Sequence, residues 1–119
     1  MSFQIHRVYD SPVPPGRRVL VDRLWPRGVK KAEAGLDEWL KEVAPSTELR
    51  RWYGHDVVRF EEFSHRYRAE MESSPAAEAV RHLIQLSRSG PVLLLTATKD
   101  VDHSGAGVLL DHLNHLTPT

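Results

Sequence analysis

The run from Val19 to Gly28 holds the side chains best suited to binding an anion. An apolar strand pattern ends there and is followed by Asp22, Arg23 and Arg27. A guanidinium presents a planar fork of donors that matches two oxygens of a carboxylate or phosphate at once. Two arginines on one loop therefore predict an anionic ligand. An alternative is that one or both arginines pair with Asp22 or with glutamates on helices, and so brace the fold.

Trp25 and Gly28 belong to the same stretch and complete the first set of candidate ligand-binding residues, together with the two arginines. The Trp25 indole fits two roles, stacking on a planar ligand or covering an edge of the core. We call residues 22–28 the Arg23 loop.

A second group of reactive side chains follows an apolar run near the C-terminus, in residues 96–103, which we call the Lys99 loop. Lys99 and His103 are candidate ligand-binding residues, and Asp100 is a candidate general acid or base. Asp102 belongs to the same group, and it is a candidate to cap the helix that follows.

Asp22 and His55 join Asp100 as the candidate catalytic residues. His55 comes directly after a predicted helix end, where its imidazole is free either to face a cleft or to make a structural hydrogen bond. The chain contains no complete catalytic signature. The sequence therefore predicts the place of a site and leaves the reaction open.

The elements that position these loops follow from the spacing of apolar residues, which predicts an α/β fold in one domain, residues 1–119. We expect a small, three-layer-like domain with a short, largely parallel sheet of about three strands and about five helices. The predicted strands are residues 3–8, 17–24 and 91–97, and the predicted helices are residues 36–43, 47–53, 57–71, 75–88 and 103–116.

Ser46 is predicted to cap the second helix, and Asp102 is a candidate cap for the last helix. Leu116 is predicted to lie on the buried face of the last helix. The run from Pro91 to Ala97 is predicted to be the central strand, covered on both faces. Because ligands bind beyond the carboxyl ends of parallel strands, the Arg23 loop and the Lys99 loop are expected at one cleft.

Composition narrows the classes of function. The 119 residues include 16 basic and 16 acidic side chains, and this balance disfavours nonspecific nucleic-acid binding without excluding it. The absence of cysteine removes disulfides, thiolate nucleophiles and cysteine-bound zinc. No run suits a signal peptide or a membrane helix, so we expect a cytoplasmic protein. Although Asp100, Asp102 and His103 lie close in sequence, we expect no bound metal, and no cofactor is indicated.

The chain resembles the YeaO-like branch of the family called domain of unknown function 488. The motifs that carry the resemblance include Val21–Gly28, Leu36–Leu40, Ala44–Leu49 and Lys99–Asp100 with His103. The resemblance implies a family but brings no established activity, substrate or cofactor with it. The sequence departs from the family pattern at Ser104, where an asparagine is expected, and at the two glycines that follow.

We therefore expect a small ligand bearing a phosphate or carboxylate to bind between the Arg23 loop and the Lys99 loop, with hydrolytic or transfer chemistry left open. The alternative is a non-enzymatic module that docks on protein or nucleic acid through its arginines and tryptophans. A homodimer that buries exposed aromatic residues is a third expectation.

Overall fold

The structure, a computed structural model, describes residues 2–11 and 13–117. Pro12, in the predicted turn between the first two strands, lies outside the described residues. Within these ranges the strands are β1 (Phe3–Arg7), β2 (Arg17–Leu20), β3 (Glu38–Trp39) and β4 (Val92–Thr96), and the α-helices are α1 (Thr47–Tyr53), α2 (Phe60–Glu70), α3 (Ala76–Ser87) and α4 (Gly105–Leu116). Short 3-10 helices span Lys31–Glu33, Lys41–Val43, Val57–Arg59 and Val101–His103.

The four strands form one parallel sheet in the order β1-β4-β2-β3. All five residues of β4 are buried, and the strand has a neighbour on each side, which confirms its predicted central place. The predicted fold class is likewise confirmed, with one strand more than expected and four α-helices. The carboxyl ends of β2 and β4 lie side by side, since Leu20 is in register with Leu95.

The two faces of the sheet are covered differently. Val19 and Leu94 point into the main core, which the four α-helices complete with residues such as Phe63, Leu83 and Leu109. On the opposite face Leu20, Leu93 and Leu95 pack against partly buried side chains from strand ends and connecting segments, namely Val8, Val13, Trp25, Leu36 and Trp39. Through Trp25, the Arg23 loop therefore helps to cover this face of the sheet.

The helix predicted over residues 36–43 is wrong. Its residues form strand β3 and a short 3-10 helix, because the backbone at Asp37 and Leu40 donates hydrogen bonds to the carbonyls of Arg18 and Leu20. The apolar residues that suggested one helical face are divided between the two faces of the sheet. Leu36 and Trp39 pack on one side, and Leu40 and Val43 on the other.

The start of the last helix also differs from expectation. Ser104, rather than Asp102, caps α4, and its hydroxyl accepts the Gly107 amide hydrogen at 3.2 Å. Asp102 lies in the preceding 3-10 helix. Leu116 is 48% exposed, so its predicted burial is wrong too. The predicted Ser46 cap of α1 is confirmed by the bond from the Leu49 amide.

Within the described residues, no helix is both long enough and apolar enough to cross a membrane.

Candidate functional site

A cavity of about 420 Å³ opens at the carboxyl ends of β2 and β4. Residues 21–27 and residues 96–98 line it. Residues 104–106, at the start of α4, also line it, together with Pro45, Arg50, Tyr53 and His55 from the α1 region. The Arg23 loop and the first part of the Lys99 loop therefore share one concave surface.

Asp22 joins the ends of the two central strands. One carboxylate oxygen accepts a hydrogen bond from the Thr96 hydroxyl at 2.7 Å, and the other accepts one from the Ala97 amide at 2.8 Å. Burial raises the pKa of this carboxyl above the ordinary aspartate value, and the two hydrogen bonds only partly offset that effect. These contacts give Asp22 a structural role, and its predicted catalytic role stays a prediction.

Arg23 is hydrogen-bonded to the segment that leads into α1. Its Nε donates to the Pro45 carbonyl at 2.9 Å, and its Nη2 donates to the Ala44 carbonyl at 3.1 Å. The expected pairing of Arg23 with Asp22 does not appear among the ion pairs of the described residues. The Nη1 group makes no hydrogen bond to a described residue, so the guanidinium keeps donor capacity beside the cavity.

Arg27 and Arg50 are the cavity's exposed cations. Neither side chain makes a hydrogen bond or ion pair with any residue of 2–11 or 13–117. Arg50 was not predicted, because its approach to the cavity depends on how α1 packs. It lies three residues before Tyr53 on α1, so both residues share a helix face that leads to the cavity.

Trp25 contributes to both the cavity and the core. Its indole nitrogen donates to the Val29 carbonyl at 2.7 Å, and its ring meets Trp39 edge-on, with centroids 5.3 Å apart. Of the two roles predicted for Trp25, covering the core is therefore visible in its contacts. Gly28 has a φ of 80° and belongs to the turn that ends the loop, and it lies outside the residues that line the cavity.

Aromatic residues also line the cavity. Tyr53 stacks on Phe63 with ring centroids 4.2 Å apart, and its hydroxyl donates to the His103 carbonyl at 2.6 Å. Burial raises the pKa of Tyr53, which keeps the hydroxyl protonated as a donor. His55 follows α1 with a φ of 58°. It is exposed and is one of the residues that line the cavity.

The outer part of the Lys99 loop contacts the cavity-lining Tyr53 through the His103 carbonyl, which accepts the Tyr53 hydroxyl. The carboxylate of Asp100 pairs with Nδ1 of His103 at 2.9 Å, and Lys99 is exposed. None of these three residues is among the described residues that line the cavity. Their predicted roles in ligand binding or acid–base chemistry stay predictions.

The glycines after Ser104 have a packing reason. A Cβ atom at Gly105 would lie 2.9 Å from Cγ of Pro45, and one at Gly107 would lie 2.4 Å from the Val101 carbonyl oxygen. Small residues here let the start of α4 approach the cavity wall. The partial positive charge at this helix end therefore adds to that of the arginines.

The electrostatic balance of the cavity is positive. Arg23, Arg27 and Arg50 line it against one carboxylate, Asp22, which leaves an excess of two positive charges. Across residues 2–11 and 13–117, no three histidine, aspartate or glutamate side chains come together as a metal site. The arrangement is suited to holding an oxyanion through arginine donors.

Comparisons with known proteins find relatives that match nearly the whole chain. Residues 2–118 match the model of a family described as the inactive DUF488-N3 subclade. The chain is 46% identical over 112 residues to the uncharacterized protein Rv3073c of Mycobacterium tuberculosis, covering 93% of this chain and 92% of that protein. It is 41% identical over 117 residues to the uncharacterized protein YeaO of Escherichia coli, covering 98% and 100%. No solved structure gives a significant match.

Proposed function

The chain belongs to the DUF488-N3i family, the inactive DUF488-N3 subclade, and we propose that it binds a small ligand bearing a phosphate or carboxylate without transforming it. The observation that carries this proposal is the set of three arginines around one cavity whose single carboxylate accepts hydrogen bonds from Thr96 and Ala97 rather than pairing with an arginine. The family membership agrees with the resemblance expected from the sequence.

Two features favour binding over catalysis. Asp22 accepts hydrogen bonds from Thr96 and Ala97 that join the ends of β2 and β4, so its carboxylate has a structural use that needs no chemistry. Asp100 is paired with His103 beyond the lining residues. The description of the family as inactive supports the same choice.

The arginines would divide the work. Arg23 is held by the carbonyls of Ala44 and Pro45, which fixes its charge at the wall before a ligand arrives. Arg27 and Arg50 are exposed, so each can turn its guanidinium toward an oxyanion. We therefore expect Arg27 and Arg50, rather than Arg23, to form the hydrogen bonds that appear only when the ligand binds.

Isothermal titration calorimetry with inorganic phosphate, at constant ionic strength, tests this proposal. We expect saturable binding that Arg50→Ala weakens about tenfold, because a charge-assisted hydrogen bond contributes about 1.5 kcal/mol. Arg51→Ala is the matched control, since Arg51 is the exposed neighbour on α1 and does not line the cavity. No binding, or equal weakening by both substitutions, would contradict the proposal.

A further inference from the structure

The rim of the cavity carries apolar surface that a bare oxyanion would not use. Leu24 is 59% exposed and Tyr9 is 46% exposed, and both line the cavity beside the basic residues. Scattered apolar residues on a surface need no explanation, but these two share one concave site. A volume of about 420 Å³ also lies in the range, about 300–1,000 Å³, that encloses most of an organic ligand.

Tyr9 is held in place at this rim. Its hydroxyl donates to the Arg27 carbonyl at 2.8 Å, and the Arg7 guanidinium lies 5.6 Å from its ring centroid. Arg7 is itself anchored, since its Nε donates to the Thr98 carbonyl at 3.0 Å. The Tyr9 ring is therefore positioned before a ligand binds, which lowers the entropic cost of contacting it.

The charge of the cavity indicates which oxyanion fits. Three arginines against one carboxylate leave an excess of two positive charges. A phosphate monoester carries a charge of about −1.5 to −2 at neutral pH and offers three acceptor oxygens, whereas a carboxylate carries one charge and two oxygens. The phosphate monoester is the better complement in both charge and number of acceptors.

Resting on the proposed function, we infer that the ligand is a phosphate monoester with a flat, ring-bearing body, the chemical class of the nucleoside monophosphates. Its phosphate lies toward Arg27 and Arg50, and its ring contacts Tyr9 and Leu24. The rim selects the body of the ligand, and the arginines select its anion.

Four probes measured by calorimetry separate these contributions: adenosine monophosphate, ribose 5-phosphate, inorganic phosphate and adenosine. We expect adenosine monophosphate to bind at least about tenfold more tightly than ribose 5-phosphate, as one ring contact with an aromatic side chain contributes about 1–3 kcal/mol. Adenosine, which lacks the anion, should bind much more weakly than adenosine monophosphate.

Substitutions at the rim test where the ring lies. Leu24→Ala should weaken adenosine monophosphate about three- to tenfold and leave inorganic phosphate unchanged. Val58→Ala is the control, because Val58 is 93% exposed and lies outside the cavity lining. An equal affinity for adenosine monophosphate and ribose 5-phosphate, or no effect of Leu24→Ala, would overturn the inference while phosphate binding still supports the proposed function. If none of the four probes binds, the proposed function itself has failed.

Discussion

Asp22 and Thr96 join the carboxyl ends of two neighbouring parallel strands through a hydrogen bond of 2.7 Å between the Thr96 hydroxyl and the Asp22 carboxylate. The second carboxylate oxygen accepts the Ala97 amide hydrogen at 2.8 Å. This contact fixes the start of the Arg23 loop against the end of β4. Asp22 therefore links the two strand ends from which the cavity opens.

Removing this carboxylate should destabilise the fold. Asp22→Ala leaves the buried Thr96 hydroxyl and the Ala97 amide without their acceptor, so we expect a loss of about 2–4 kcal/mol in the free energy of unfolding. Asp22→Asn should cost less than about 1 kcal/mol, because its amide oxygen can accept from Ala97 while the Thr96 hydroxyl turns to accept from the amide group. Urea denaturation measures both. Equal losses for the two variants would contradict the assigned contacts.

The pH dependence of Asp22 follows from its burial. Burial raises the pKa of this carboxyl above its value in the unfolded chain, about 3.9, so the folded state binds the proton more tightly. The corresponding stability is fully present below that value and is lost as pH rises through the folded pKa. The difference in unfolding free energy between wild type and Asp22→Asn should therefore fall as the pH rises above about 4. A difference that rises over this range would mean that the hydrogen bonds outweigh burial.

Arg23 should be needed for stability as well as for charge. Arg23→Lys keeps the positive charge, but a single ammonium cannot reproduce the fork that reaches the carbonyls of Ala44 and Pro45. We expect a loss of about 1–2 kcal/mol in unfolding free energy. Arg51→Lys, at an exposed position, should change it by less than about 0.5 kcal/mol. Indistinguishable effects in chemical denaturation would refute the bracing role.

The tight start of α4 gives a prediction at Gly107. Gly107→Ala would place a Cβ atom 2.4 Å from the Val101 carbonyl oxygen, a backbone atom that cannot move freely. We expect a net loss of about 1–3 kcal/mol, despite the better helix propensity of alanine. Asn114→Ala, at an exposed position of the same helix, should instead stabilise by a few tenths of a kcal/mol. Thermal unfolding measures both changes. A Gly107→Ala variant as stable as the wild type would contradict the tight packing at the start of α4.

Local signals predicted the parts of the fold whose patterns are short and unambiguous. The continuous apolar run that forms β4 and the Ser46 cap of α1 both depend on neighbouring residues alone. The segment 36–43 could not be assigned this way. Its apolar residues are spaced as in a helix, yet pairing with β2 divides them between two faces of the sheet.

The candidate site shows the same limit. The sequence placed the Arg23 loop beside the end of β4 because strand ends converge in a parallel sheet. It did not find Arg50, whose approach to the cavity depends on how α1 packs. Nor could it show that Arg23 is held by Ala44 and Pro45, since those contacts cross about twenty residues of chain.

The most direct test of anion binding in this cavity is a titration of the isotopically labelled protein with inorganic phosphate, followed by the NMR shifts of its backbone amides. Anion binding in the cavity predicts saturable shifts concentrated in residues 22–27 and 96–98, with Ala44 and Arg50, all of which line the cavity, and little change along α3. Shifts that do not saturate, or that centre on α3, would contradict it.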